Sequence, residues 1–195
     1  AVGVVTAAMI CVLSVMNGFG VMIEELFSQF DPDLRITAKA GKSFIINKET
    51  KSQLLSIPSI NLVSESITET ALANFEEKQM PVQLMGVDSV FGQLTGIENI
   101  ITDGHYEVFD GAFDRAVLGQ GLAWKLGIGV HFIHAIEVYA PKREGKVNML
   151  RPDVNFNSER CFIAGTFAVN QQKYDENLML VDIDLARRLL DYETT

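Results

Sequence analysis

The sequence predicts an α+β protein, in which a long N-terminal helix leads into a core of mixed strands and short helices. An uncharged apolar run opens the chain, and stretches of period-two apolar alternation recur further along it. Short helical patterns fall between these stretches without strict strand–helix alternation, which favours α+β over a doubly wound sheet.

The opening reads "AVGVVTAAMICVLSVMNGFGVMIEELFSQFDPDLRI". From Ala1 to Phe19 the clearly polar side chains are Thr6, Ser14 and Asn17. At about 1.5 Å rise per helical residue, this stretch spans roughly the 30 Å hydrocarbon layer of a bilayer. A signal-peptide core is shorter, about 7–15 residues, and ends at a small-residue cleavage site. Here the run flows on into Phe19, Met22, Ile23, Leu26, Phe27 and Phe30 at helical spacing, with Glu24, Glu25 and Gln29 opposite. Asp31-Pro32 ends the pattern, because proline disfavours helix in the residue before it. The expectation is a transmembrane helix over 1–19 that continues into water, with an extramembrane domain over 20–195. A buried core helix is the alternative, though typical globular helices run about 8–20 residues. No initiator Met and no basic leader is present, so a fragment is expected.

Beyond the proline, "DLRITA" alternates Leu34, Ile36 and Ala38 with polar residues and reads as a half-buried strand. "GKSFI" turns the chain, and "NKETKSQLLSIPS" reads as a short helix with Asn47 as its cap, stopped before Pro58. "NLVSESITETALANF" and "MPVQLMGVD" read as strands of a hairpin joined through "EEKQ". The glycine- and aromatic-rich stretch from Ser89 to Asp114 has no clear period and is expected to be irregular with short helical turns. A helix from about Leu118 to Leu126 follows, closed by Gly127. "HAIEVYAP", "ERCFIAGTFAV" and "NLMLVDI" read as strands, and Asp184 is the expected cap of a final helix, "LARRLLDY".

The formal net charge of -9 argues against a nucleic-acid partner, which needs a basic face. Cys11 and Cys161 form no disulfide framework and have no histidine nearby in sequence, so no cysteine nucleophile is read. His131 and His134, with His105 as a third, fall short of the convergent ligands zinc needs, and no metal ligand is assigned. "GQGLAW" lacks the Gly-Lys-Ser/Thr ending of a phosphate loop and has no upstream parallel strand of that type, so its glycines are read as permitting close packing. No catalytic residue is assigned. The connection from Arg143 to Arg160, "REGKVNMLRPDVNFNSER", is longer than neighbouring strands need and carries an apolar tip, Met149 and Leu150, beside Arg151-Pro152. It suits partner capture, and equally a variable surface excursion.

"VLSVMNGFG", followed by an amphipathic helix and "PDLRI", resembles the lipoprotein-releasing ABC permease family, the LolC/LolE type. "AVLGQGLAWKLGI" and "IAGTFAVNQQKYDENLMLVDIDLARRLL" agree with it in the same order. The chain departs from the family pattern at Gly20, where an acidic residue often stands, and at "IGVHF", which replaces a Gly-Asp turn. The resemblance implies a permease subunit of the bacterial inner membrane, with a MacB-like periplasmic core domain after its first transmembrane helix. It also implies a separate ABC ATPase subunit holding ATP and Mg, a second permease subunit, lipoprotein cargo and a periplasmic lipoprotein chaperone. No cofactor is then expected in this chain. Met16, Phe19, Met22, Ile23 and Leu26 match the lipoprotein-cavity position, and Met149, Leu150, Arg151 and Pro152 fall where such proteins carry a chaperone hook. A MacB-like efflux or FtsX-like cell-division permease is the nearest rival, and a signal-anchored binding module is a reading of another class.

Overall fold

The computed structural model describes residues 2–27, 32, 34–39, 41, 44, 46–131, 134–143 and 155–192. The chain divides into two compact units, Ala1–Arg35 and Ile36–Thr195. The first is dominated by helix α1, Val2–Phe27, which contains no proline or charge before Glu24 and continues unbroken past the apolar run. The strand expected in "DLRITA" is not formed. Residues 34–39 carry no ladder, and Leu34 and Ile36 are exposed. Alternation only permits a strand; the backbone N–H and C=O groups need an edge to bond to, and among the described residues no strand pairs with this stretch.

The second unit begins with helix α2, Lys48–Leu55, at the place its pattern indicates. Asn47 occupies the cap position, but its backbone carbonyl rather than its side chain makes the first bond, from Lys51 N at 3.0 Å. None of the eight residues of α2 is buried, so packing contributes little to holding it.

Strands β1, Ser66–Phe75, and β2, Lys78–Val87, form an antiparallel hairpin, closed tightly with Phe75 opposite Lys78. Glu76 in that turn adopts φ 52°, a left-handed conformation that disfavours any residue with a Cβ. Glu76→Gly is expected to raise stability by about 0.5–1 kcal/mol, the relief of strain less the added freedom of the unfolded glycine. A denaturant midpoint that falls instead would show that the side chain contributes more than the turn strain.

The stretch expected to be irregular with short helical turns has them, as helix α3, Phe91–Thr95, and a 3-10 turn over Ile97–Ile100, and adds a short strand that was not expected, β3, Ile101–Gly104. The helix expected from Leu118 starts later: Arg115–Gly119 is strand β4, and helix α4 runs Gln120–Leu126. "AVL" is buried on both faces between two strands, and such a run cannot be told from buried helix by periodicity. Gly127 closes α4 with φ 74°, as its position indicates. Strands β5, Ile136–Pro141, β6, Phe156–Phe167, and β7, Leu178–Asp182, follow, with the four-residue helix α5, Gln172–Asp175, between the last two. The final helix α6 spans Ile183–Leu189. Its cap is Asp182 and not Asp184: the Asp182 carboxylate accepts from Asp184 N at 3.0 Å.

Six strands pair in a closed ring, β6–β4–β7–β2–β1–β5 and back to β6. The β4–β6 and β2–β7 pairs are parallel, and the other four are antiparallel. β6 is long enough to serve three neighbours: residues 156–161 pair with β5, 162–167 with β4, and its end also with β3. The core lies where alternate residues of the ring meet two helices. Phe75, Leu84, Leu118, Ile136, Cys161 and Met179 pack there with Leu122 and Leu126 of α4 and Leu185 and Leu189 of α6. β7 is buried at four successive positions, Leu178–Val181, as expected of a strand covered on both faces.

Candidate functional site

Two features of the chain can meet a partner: the surface of α1 and the connection between β5 and β6. Residues Gly3–Gly20 make a stretch long and apolar enough to cross a membrane, and none of them is buried. The buried core helix that the sequence left open is therefore not found. Met16 and Phe19 are 65% and 61% exposed. Because α1 is continuous through Phe27, its period of about 100° per residue sets positions 16, 19, 22, 23 and 26 within an arc of about 120°.

β5 and β6 are arms of one hairpin, paired from Ile136–Cys161 out to Pro141–Phe156, with Lys142 N donating to Asn155 O at 2.9 Å beyond them. The long connection leaves the sheet from this foot. Met149, Leu150, Arg151 and Pro152 lie outside the described residues.

The weaker motifs resolve into packing. "GQGLAW" does follow a strand, β4, parallel to β6, contrary to the expectation that no such strand precedes it. The space a phosphate would need is filled by the chain itself. A Cβ on Gly119 would stand 2.6 Å from the Tyr174 carbonyl oxygen and also collide with that of Asp175, and Gly121 faces the same turn. The glycines admit α5 against the start of α4. His105 and His134 are exposed, pairing with Glu107 at 3.2 Å and Glu76 at 3.8 Å. Among the described residues no three His, Cys, Asp or Glu side chains converge as a metal site. Cys161 is fully buried, and burial, with Asp114 and Glu159 adding to it, pushes its thiol pKa up, away from the reactive thiolate.

Other polar sites were missed. Asp88 organises the approach to α3: one carboxylate oxygen accepts from Ser64 Oγ at 2.5 Å and from the amides of Val90 and Phe91 at 3.2 Å, and the other from Glu65 N at 3.0 Å. Asp110 does the same for the turn "FDGAFD", accepting from Ala112 N and Phe113 N at 2.9 and 2.7 Å and from the Arg115 guanidinium. The Asp-Gly pair in that turn is the sequence signal that would have found it. The turn presents Phe109 and Phe113, both exposed, and Trp124 on α4 is 84% exposed.

The amides of Phe113 and Ala112, with Arg115, hold the Asp110 carboxyl down to about 2. A carboxyl depressed on folding contributes its stabilisation above its unfolded pKa of about 3.9 and loses it as pH falls through the folded value. The turn is expected to stay closed at pH 4 and to open as pH approaches about 2. The Ala112 and Phe113 amide shifts would report this by NMR; a midpoint near 4 would contradict it.

No family model and no curated protein matches the chain. Among solved structures it is similar to the extracellular domain of the ABC-type transporter YknZ from Gram-positive bacteria, with TM-score 0.50 and 14% identity over 73% of this chain. This chain spans 65% of that domain's length. It is also similar to a domain assigned to a permease protein of Porphyromonas gingivalis, at 18% identity over 71% of this chain and 54% of that one, though its TM-score of 0.44 is too low to carry weight. At these identities the first likeness speaks for fold: the chain is built like the extracellular domain of an ABC-type transporter.

Proposed function

We propose that the chain is a non-catalytic permease subunit of an ABC transporter, anchored by residues 1–19 in the inner membrane and presenting 20–195 as a MacB-like extracytoplasmic domain. One conjunction supports this reading: an exposed apolar helix of bilayer-spanning length precedes a domain with the fold of a transporter's extracellular part. Energy then comes from ATP and Mg on a separate ATPase chain, and a second permease subunit completes the membrane part. Within this class the motif resemblance favours lipoprotein release. The strip containing Met16, Phe19, Met22, Ile23 and Leu26 would meet acyl chains, because flexible apolar side chains adapt to them. The segment at Met149–Pro152 would hold the chaperone.

Photo-crosslinkers at Phe19 and Met22, in the full chain assembled with its ATPase, test the cargo. Expected is a crosslink to triacylated lipoprotein that ATP turnover releases. Crosslinks to lipid alone would exclude lipoprotein cargo and leave the efflux or cell-division type of permease. Met149→Asp with Leu150→Asp is expected to weaken chaperone capture by about tenfold or more, since burying two unpaired carboxylates costs well over 1.4 kcal/mol. Undiminished capture would remove the hook assignment.

A further inference from the structure

Helix α6 is clasped, from its last turn and from just beyond it, to segments far from it in sequence. In that last turn Arg187 bonds Asp184 at 2.9 Å and Glu65 at 3.3 Å, and Glu65 bonds Lys51 of α2 at 2.9 Å. Just past its end, the Tyr192 ring lies under the Arg143 guanidinium, 3.7 Å from ring centroid to Cζ. Arg143 also bonds the Tyr192 hydroxyl, and reaches Glu69 of β1 at 3.1 Å. Arg143 follows β5; from the other arm of the hairpin, Asn157 Nδ2 donates to Leu189 O at 3.1 Å. Both arms of the β5–β6 foot are therefore fastened to the end of α6.

The helix that carries both clasps is firmly packed. Leu185, Ala186 and Leu189 are fully buried, and Gly86 lets Ala186 sit directly on β2, where any Cβ would collide with it. α2, by contrast, buries no residue, and Lys51 ties it to Glu65, with Asp88 at 3.9 Å behind. A weakly packed element is thus joined by ion pairs to a rigid one, and the rigid one holds the base of the long connection.

We propose that α6 is a mechanical link between α2 and the β5–β6 foot, so that displacing α2 loosens the base of the connection. In sequence α2 is the first helix after α1, and the connection from Arg143 to Arg160 is the long one between neighbouring strands. Spatial continuity alone does not establish coupling; a response at one end to a change at the other does.

Hydrogen–deuterium exchange on the full chain in detergent tests the link without ATPase, cargo or chaperone, so its outcome is independent of the transport reading. Lys51→Met removes the α2 clasp while keeping the aliphatic stem. The α2 amides and the Lys142 amide, which bonds Asn155 O, are expected to exchange about two- to fivefold faster, the range a half-exposed ion pair supports. Arg143→Gln should, by reciprocity, speed α2 in return. Lys51→Arg, which keeps the charge, should leave the foot at its original rate, and unchanged protection in β7 verifies that the ring is folded. A foot that exchanges normally in Lys51→Met, with or without a loosened α2, overturns the proposal.

Discussion

Gly119→Ala is expected to destabilise the sheet unit by about 3 kcal/mol, with loss of the folded form at modest denaturant. A single methyl would be driven into the Tyr174 and Asp175 carbonyls, where β4 turns into α4 and α5 crosses it. Backbone atoms cannot rotate aside, so either α5 or the start of α4 must shift, and forced overpacking of this kind costs about 1–3 kcal/mol or more. Gly127→Ala is the internal comparison. There the obstacle is the end of the Lys78 side chain at 2.8 Å, which can move, and the remaining penalty is left-handed strain at φ 74°, about 1–2 kcal/mol. Chemical denaturation of both variants decides the matter. Equal midpoints would mean that the α4–α5 contact relaxes freely and the glycines of "GQG" are not required for packing.

Leu13→Asp is expected to shift α1 out of the bilayer. On insertion scales, aspartate at the centre of a spanning helix is worse than leucine by about 3–4 kcal/mol, a factor of several hundred in partition. Leu13 is 59% exposed. The chain should move from a carbonate-resistant membrane fraction to the soluble or aggregated fractions, while the β-sheet circular dichroism stays unchanged because, among the described residues, the buried core of the ring is drawn from Ala71 to Leu190. If the variant stays membrane-bound, the span is held by something other than its own apolarity, and the anchoring reading fails.

How far the sequence revealed the fold depended on whether the signals were local. The β1–β2 hairpin and strand β5 follow from periodicity because each buries a face that its own residues announce, α1 follows from its long uncharged run, and β6 and β7 from short apolar runs. The end of β4, Leu118 and Gly119, was read as the start of a helix because Ala116 to Gly119 are all buried and show no alternation. β3 escaped because "ITDG" shows no alternation: it is an edge strand with three of its four residues exposed. "DLRITA" failed in the opposite sense, with good alternation but no pairing to any strand among the described residues. For the candidate site, the strip on α1 was legible as helical spacing. The polar ties were not, since Arg143 and Tyr192 are 49 residues apart and no local pattern joins them.

The position of the last strand sets the order in which this body can come into being. β7 stands between β4 and β2, so the circle of strands remains broken until residues 178–182 arrive. A chain halted at α5 would carry two bare rims with unbonded peptide groups, an invitation to sticking and to proteases. Closure therefore waits on residues 178–182 having emerged from the ribosome or translocon.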